Sequence, residues 1–196
     1  MKRLVDITCS FVGVLLLSPL FVVVAVLIKL DSPGPVFFRQ KRIGKDFRPF
    51  RIYKFRTMAA DAEQRGAPIT VGGDKRITRI GRFLRKYKID ELPQLFNVIK
   101  GEMSLVGPRP EIKKYVEQFK TDYEKLLTVR PGITDPASLH YSDEERLLAS
   151  STTWEDDYLR KVLPEKIRLS SGYVDHHTIF TDLRLILKTI TKASHQ

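Results

Sequence analysis

The sequence predicts an α+β protein, mainly helical, with a small basic β-hairpin and an N-terminal apolar helix broken at a Ser-Pro step. Three observations lead there. A run of 22 uncharged residues, "ITCSFVGVLLLSPLFVVVAVLI", lies between Asp6 and Lys29. Two aromatic and basic stretches follow it on either side of "GKD". Beyond Asp74, apolar residues recur at helical spacing through most of the chain.

The apolar run is long enough for a membrane segment, because about 20 such residues span a bilayer core. A secretory signal has a shorter apolar region and a small-x-small cleavage site, and this run fits neither feature. A core helix of a soluble domain rarely runs so long without a polar face. Pro19 has no N–H for the Leu15 carbonyl, so the helix is expected to bend there, and Ser18 can return a hydroxyl bond to a freed backbone group. Lys2 and Arg3 precede the run, and Lys29, Arg39, Lys41 and Arg42 follow it. The positive-inside tendency favours both flanks on the cytoplasmic face. A bent helix that enters the membrane and returns fits this pattern, and so does a kinked single span.

After the turn "DSPGP", the stretches "VFFRQKRI" and "FRPFRIYKFRTM" predict two strands joined through Gly44-Lys45-Asp46. "AADAEQRGAP" predicts a short helix ended by Gly66, followed by a polar loop with Gly72-Gly73. Ile77, Ile80, Phe83, Leu84 and Tyr87 mark one helix, and Leu92, Leu95, Phe96 and Ile99 another that stops at Gly101. "EIKKYVEQFKTDYEKLL" predicts an amphipathic helix ended by the turn "RPGIT". From Trp154 the chain is predicted helical, with interruptions at Pro164 and near Gly172. Its last segment, "TIFTDLRLILKTITK", carries an apolar side that can close the core or lie on the membrane surface, the core being the first expectation.

The charge is uneven. Of a net +11, residues 39–88 hold 16 Lys/Arg against 4 Asp/Glu. Such a block suits nucleic acid, an anionic membrane surface or phosphorylated substrates. The preceding apolar run favours the membrane over nucleic acid. The single Cys9 excludes an intramolecular disulfide and fits a reducing compartment. Four histidines, His140, His176, His177 and His195, lack the spacing of a metal site.

"KYKIDELPQLFNVIKG" places two carboxylates, Asp90 and Glu91, side by side just before Pro93. Asp90 can be a helix N-cap, with Glu91 in the first turn. The pair can also be reactive, provided the helix ends or breaks there, since adjacent helical residues point about 100° apart. Arg85 lies upstream, and "SLVGPRPE" holds Arg109 between Pro108 and Pro110, which restrict the backbone around a guanidinium fork suited to phosphate. A carboxylate can attack phosphorus, and a second one can hold Mg²⁺, which shares oxygen ligands with substrate phosphates. Lipid anchorage, cations and a carboxylate pair together favour phosphoryl chemistry at a membrane. A non-catalytic membrane adaptor is the rival from another class.

From about Lys2 to Thr134, with a weaker echo in the last helix, the chain resembles the bacterial monotopic phosphoglycosyl transferases, the initiating sugar transferases. The likeness rests on "KRLVDI", the run with Ser18-Pro19, "SPGPVFFRQKRIGKDFRPFRIYKFRTM", "IDELPQLFNVIKGEMSLVGPRP" and "RPGIT". The length is similar to the minimal form of that family. The resemblance implies a re-entrant membrane helix over residues 1–30 and a cytosolic catalytic domain over 31–196, with amphipathic helices on the inner-membrane surface. It implies that Asp90 attacks the sugar-bearing phosphate of a UDP-sugar, expels UMP and passes the phosphosugar to polyprenyl (undecaprenyl) phosphate, starting a bacterial glycan. It further implies that Glu91 holds Mg²⁺, that Arg85 and Arg109, within Pro108-Arg109-Pro110, bind phosphates, and that the basic hairpin rests on anionic lipids. After "RPGIT" the chain reads "DPASLHYSDEERLLAS" where many relatives have a Gly-x-x-Gln stretch, so no roles are carried beyond Thr134.

Overall fold

In the computed structural model, which describes residues 2–62, 74–149 and 153–194, the apolar run forms one helix, α1 (Lys2–Asp31). The expected break at Ser18-Pro19 does not interrupt it. Ser18 Oγ donates to the Leu15 carbonyl at 2.8 Å, the acceptor that Pro19 leaves without an amide partner. By length and composition α1 can cross a membrane.

Both ends of α1 are tied to the same body. At its start, Lys2 pairs with Asp182 and donates to the Val106 carbonyl, while Asp6, buried, accepts from Ser104 Oγ at 2.6 Å. At its end, the buried Arg56 guanidinium donates to the carbonyls of Ser32 and Pro33, each at 2.7 Å, and Asp31 accepts from the Ile80 amide. A cation at a helix C-terminus meets carbonyls that the helix itself cannot satisfy. Gly34, at φ 122°, makes room for Arg56, since a Cβ there would lie 2.0 Å from a guanidinium nitrogen.

The hairpin is present as β1 (Phe37–Ile43) and β2 (Pro49–Phe55), antiparallel with Phe37 opposite Phe55 and Ile43 opposite Pro49. Its connection is longer than the expected Gly-Lys-Asp, running from Gly44 to Arg48 with Asp46 and Phe47 at positive φ. Phe55 stacks on Phe37 and meets Phe21 of α1 edge-on. Phe50 and Ile52 pack on the other side with Val98 and Met103.

Next come α2 (Arg79–Lys86), capped by Thr78 Oγ1 accepting from the Gly81 amide, a 3₁₀ turn at Ile89–Glu91, and α3 (Gln94–Lys100). Gly101, at φ 90°, ends α3 as its sequence predicts, and the Val98 carbonyl accepts from both the Gly101 amide and Arg3, the latter at 2.7 Å. The buried Asn97 docks α3 on the hairpin: Oδ1 accepts from the Tyr53 amide, and Nδ2 donates to the Arg51 carbonyl. The short helix expected over "AADAEQRGAP" lies, from residue 63 on, outside the described residues, as do Gly72 and Gly73.

Two short strands were not expected. β3 (Ser104–Val106) and β4 (Gly132–Thr134) pair in parallel, Ser104 with Gly132 and Val106 with Thr134. The helix expected from Glu111 is two, α4 (Lys113–Gln118) and α5 (Lys120–Leu126), divided at Phe119. They share a core with later segments through Tyr115, Tyr123, Leu126, Tyr158 and Ile167.

α6 (Pro136–His140), α7 (Glu144–Ala149), α8 (Trp154–Asp157), a π turn (Tyr158–Val162) and α9 (Leu163–His176) follow. Neither expected interruption occurs. Helical backbone runs on from the π turn through Pro164, whose missing amide falls where the hydrogen-bond ladder changes pitch, and Gly172 stays within α9, which ends at His176. α10 (Ile179–Ser194) departs further from expectation. Its buried Asp182 accepts from the Tyr173 hydroxyl at 2.6 Å, yet Phe180, Leu183, Leu187 and Ile190 are exposed. The last helix lies on the surface with its apolar side outward.

Candidate active site

The break that a cooperating carboxylate pair needs is there. After α2, Lys88 turns to φ 55°, and the next three residues form the 3₁₀ turn that holds Asp90 and Glu91. Asp90 is not an N-cap: α3 has Pro93 at that position and no side-chain cap. The Asp90 side chain is buried, and its Oδ1 has no hydrogen-bond partner. Burial pushes its carboxyl up to about 6, opposed by Lys54 and Arg85 and reinforced by Glu91.

Glu91 is held in the opposite state. Burial works against its charge, but Arg109 and Lys54 outweigh burial and keep its carboxyl well below the usual range. Arg109 forks across it, with Nη1 at 3.2 Å from Oε2 and Nη2 at 2.5 Å from Oε1, and Lys54 Nζ donates to Oε1 at 2.7 Å. Two carboxylates one residue apart thus have separated proton affinities. Such separation marks sites where one group stays charged while the other exchanges a proton near neutrality.

Arg109 projects from a braced loop. On one side, the Gly132 amide donates to the Pro108 carbonyl at 3.0 Å, and the Gly107 amide to the Thr134 carbonyl at 3.0 Å. On the other, the Ile43 amide donates to the Glu111 carbonyl, and Arg42 reaches the Pro110 carbonyl. Below the loop, the Glu111 carboxylate accepts from Tyr158 Oη at 2.9 Å and from Arg42 Nη1 at 3.2 Å, while Lys166 joins Glu144 at 2.9 Å. Pro108 and Pro110 therefore act with hydrogen bonds from two strands to fix the direction of the fork. Arg85 lies close enough to Asp90 to lower its proton affinity, and its Nε donates to Thr57 Oγ1 at 2.9 Å.

The fold brings Asp90, Glu91, Arg85 and Arg109 near one another, with Pro108 and Pro110 flanking Arg109. Ser18 and Pro19 stand apart on α1. Lys54 was missed, though the sequence holds its signal: Phe50, Ile52 and Lys54 are two residues apart on β2, so a cation follows two buried apolar residues on one strand face. Within a block so rich in lysine and arginine that alternation is easily passed over.

Mg²⁺ takes hard oxygen ligands and commonly needs one or two carboxylates besides substrate phosphates. Asp90 and Glu91 offer that donor set, and the unpartnered Asp90 Oδ1 is an oxygen with coordination capacity to spare. Among the described residues, no group of three or more His, Cys, Asp or Glu could hold a metal without further ligands. The residues fit a divalent cation that arrives with phosphate.

A family model described as bacterial sugar transferase matches residues 1–196, the whole chain rather than the part up to Thr134 that its motifs mark. The chain belongs to the bacterial sugar transferase family. Among its family relatives, it is 42% identical over 197 residues to the UDP-N-acetylgalactosamine-undecaprenyl-phosphate N-acetylgalactosaminephosphotransferase of Aeromonas hydrophila. That similarity covers 96% of this chain and 42% of the relative. It is 37% identical over 196 residues to the UDP-glucose:undecaprenyl-phosphate glucose-1-phosphate transferase of Klebsiella pneumoniae, covering 97% of this chain and 39% of that one. To the exopolysaccharide production protein PSS of Rhizobium leguminosarum bv. phaseoli it is 39% identical over 199 residues, covering 97% and 93%. The chain thus spans less than half the length of the first two of these bacterial sugar transferases and nearly all of the third.

Proposed function

We propose that this bacterial sugar transferase moves a sugar-1-phosphate from a UDP-sugar to undecaprenyl phosphate at the cytoplasmic face of the inner membrane, beginning a bacterial polysaccharide or other glycan. The observation that carries the proposal is the buried Asp90 carboxylate, its Oδ1 unpartnered, beside a Glu91 clamped by Lys54 and Arg109. The names of the relatives supply the substrate classes.

In the proposed mechanism, an Asp90 carboxylate oxygen attacks the sugar-bearing phosphorus of the UDP-sugar. The bond from that phosphorus to the bridging oxygen breaks, and UMP leaves with the electron pair. A phosphate oxygen of undecaprenyl phosphate then attacks the same phosphorus, breaks the acyl-phosphate bond and restores the Asp90 carboxylate. Arg109 and Arg85 bind phosphate oxygens and orient the diphosphate for in-line attack. Glu91 would hold Mg²⁺, whose chemistry is to offset charge on the diphosphate as the bond breaks. Residues 1–30 would form a re-entrant membrane helix. What supports this topology is that Lys2 and Asp6 at one end, and Asp31 at the other, are bound to the same body.

The experiment is Mg²⁺-dependent release of UMP from a panel of UDP-sugars by the purified chain with undecaprenyl phosphate, beside the Asp90→Asn variant. Release by the parent and none by the folded variant is the expected result. No release from any sugar, or full activity in the variant, overturns the proposal. Tags at either end should be reachable only from the cytoplasm, and a periplasmic N-terminus defeats the re-entrant topology alone.

A further inference from the structure

Glu91 is engaged by two cations, and neither comes from its own turn. Lys54 arrives from β2 and Arg109 from the loop after β3, and between them they contact both carboxylate oxygens. Asp90, one residue away, is left with an unpartnered Oδ1. A purely structural ion cluster would spread its cations over both buried carboxylates, because an unpaired buried oxygen is costly. Here the direct contacts of Lys54 and Arg109 both fall on the carboxylate proposed to hold metal, while Asp90 feels Lys54 and Arg85 only through space.

An ammonium and a guanidinium bind a carboxylate and a phosphate through the same charge-assisted hydrogen bonds. The two groups on Glu91 are therefore equipped to bind the diphosphate itself. We propose that Glu91 is an internal stand-in for the substrate diphosphate: Lys54 and Arg109 rest on it in the free protein and pass to phosphate oxygens when nucleotide enters, which frees Glu91 for the divalent cation. This rests on the metal-dependent transferase reading above and adds a role for Lys54 in binding the diphosphate. It follows that cation and nucleotide bind with positive coupling, each removing the competitor of the other. Glu91 already carries two positive neighbours, so a third cation meets both competition for its oxygens and like-charge repulsion.

Binding of Mn²⁺ alone to the purified full chain, followed by electron paramagnetic resonance, tests this without turnover. Lys54→Met should tighten Mn²⁺ binding about tenfold over the parent, the scale of a typical coupling energy. Lys54→Arg, which keeps a cation in place, should leave it near the parent value. Lys88→Met removes a charge that acts on Asp90 but is not among the cations on Glu91, and should change Mn²⁺ affinity less than about threefold, as expected for a solvent-screened charge. The proposal is overturned if Lys54→Met leaves Mn²⁺ affinity unchanged or weaker, or if Lys88→Met has the same effect. If the parent takes up Mn²⁺ with UDP while Lys54→Met behaves as the parent without it, the stand-in fails and the transferase reading survives. If no form takes up Mn²⁺ even with UDP, both fall.

Discussion

The Asn97 side chain completes the hairpin edge at Tyr53: its Oδ1 accepts the Tyr53 amide at 2.9 Å while its Nδ2 donates to the Arg51 carbonyl at 2.8 Å. One buried amide thus sets the distance between β2, which carries Lys54, and α3, which follows the Asp90-Glu91 turn. Asn97→Ala should leave the Tyr53 amide and the Arg51 carbonyl without these partners, lowering stability by about 2–4 kcal/mol. The check is a shift of the urea midpoint with an unchanged slope. A midpoint within error of the parent refutes this account of the docking.

Gly132, the first residue of β4, and Gly107, just after β3, approach each other too closely for a side chain on either. A Cβ on Gly132 would lie 2.0 Å from the Gly107 amide nitrogen, and one on Gly107 would lie 2.4 Å from the Arg130 carbonyl oxygen. Gly132→Ala should push the strands apart and displace the Pro108-Arg109-Pro110 loop. kcat/KM for the UDP-sugar should then fall at least about tenfold, since small misplacements of a positioning group have large effects. Parent-like kinetics in this variant show that the loop tolerates the separation.

Asp90 links activity and stability to pH in opposite senses. As the proposed attacking group it must be ionised, so kcat/KM should fall about tenfold per pH unit below a limb near 6, the value of the free protein. Its folded-state value is raised from 3.8, so the ionised form opposes folding above about pH 6. That penalty fades as pH falls through 6 towards 3.8. Asp90→Asn should therefore be more stable than the parent at pH 8, by about 1–3 kcal/mol, with the gain shrinking below pH 6. Thermal melts at pH 5 and pH 8 check this, and a pH-independent difference contradicts it.

The outward side of α10 gives a fourth expectation. Phe180, Leu183 and Leu187 are exposed on one surface helix, in a chain whose α1 also exposes Leu15, Leu16 and Val22. Patches of this kind mark contact with a membrane or a partner. Phe180→Glu with Leu183→Glu should leave the thermal midpoint within about 3 °C, because the substituted side chains are exposed. The same pair should weaken co-flotation with anionic vesicles. Undiminished flotation assigns anchorage to α1 alone.

Much of this was legible in the chain. The hairpin, α1, α2 and α3 announce themselves by alternation, length and helical period, and the Arg109 loop by its two prolines. β3 and β4 did not, because three-residue strands bounded by glycine and proline are too short for a period to show. Pro164 was misjudged for a local reason, since it follows a π turn in which the regular ladder that a proline would break is already altered. The orientation of α10 was misjudged for a different one. Periodicity tells that one side is apolar, but not whether protein or lipid covers it. Lys54 was overlooked because its meaning lies in which strand face it shares, and its charge was lost among its neighbours.

The fastening of α1 at both its ends has a mechanical corollary. A rod pinned at two points to one body cannot tilt or bob independently of it. In the proposed topology, the depth at which α1 floats among the acyl chains fixes the altitude of Asp90 above the lipid phosphates. Undecaprenyl phosphate then needs no escort into the aqueous phase, because its own phosphate rides at a level set by the same hydrocarbon boundary. The bond between Ser18 and Leu15 fills the carbonyl that Pro19 leaves open, so no bare polar group meets the acyl chains there.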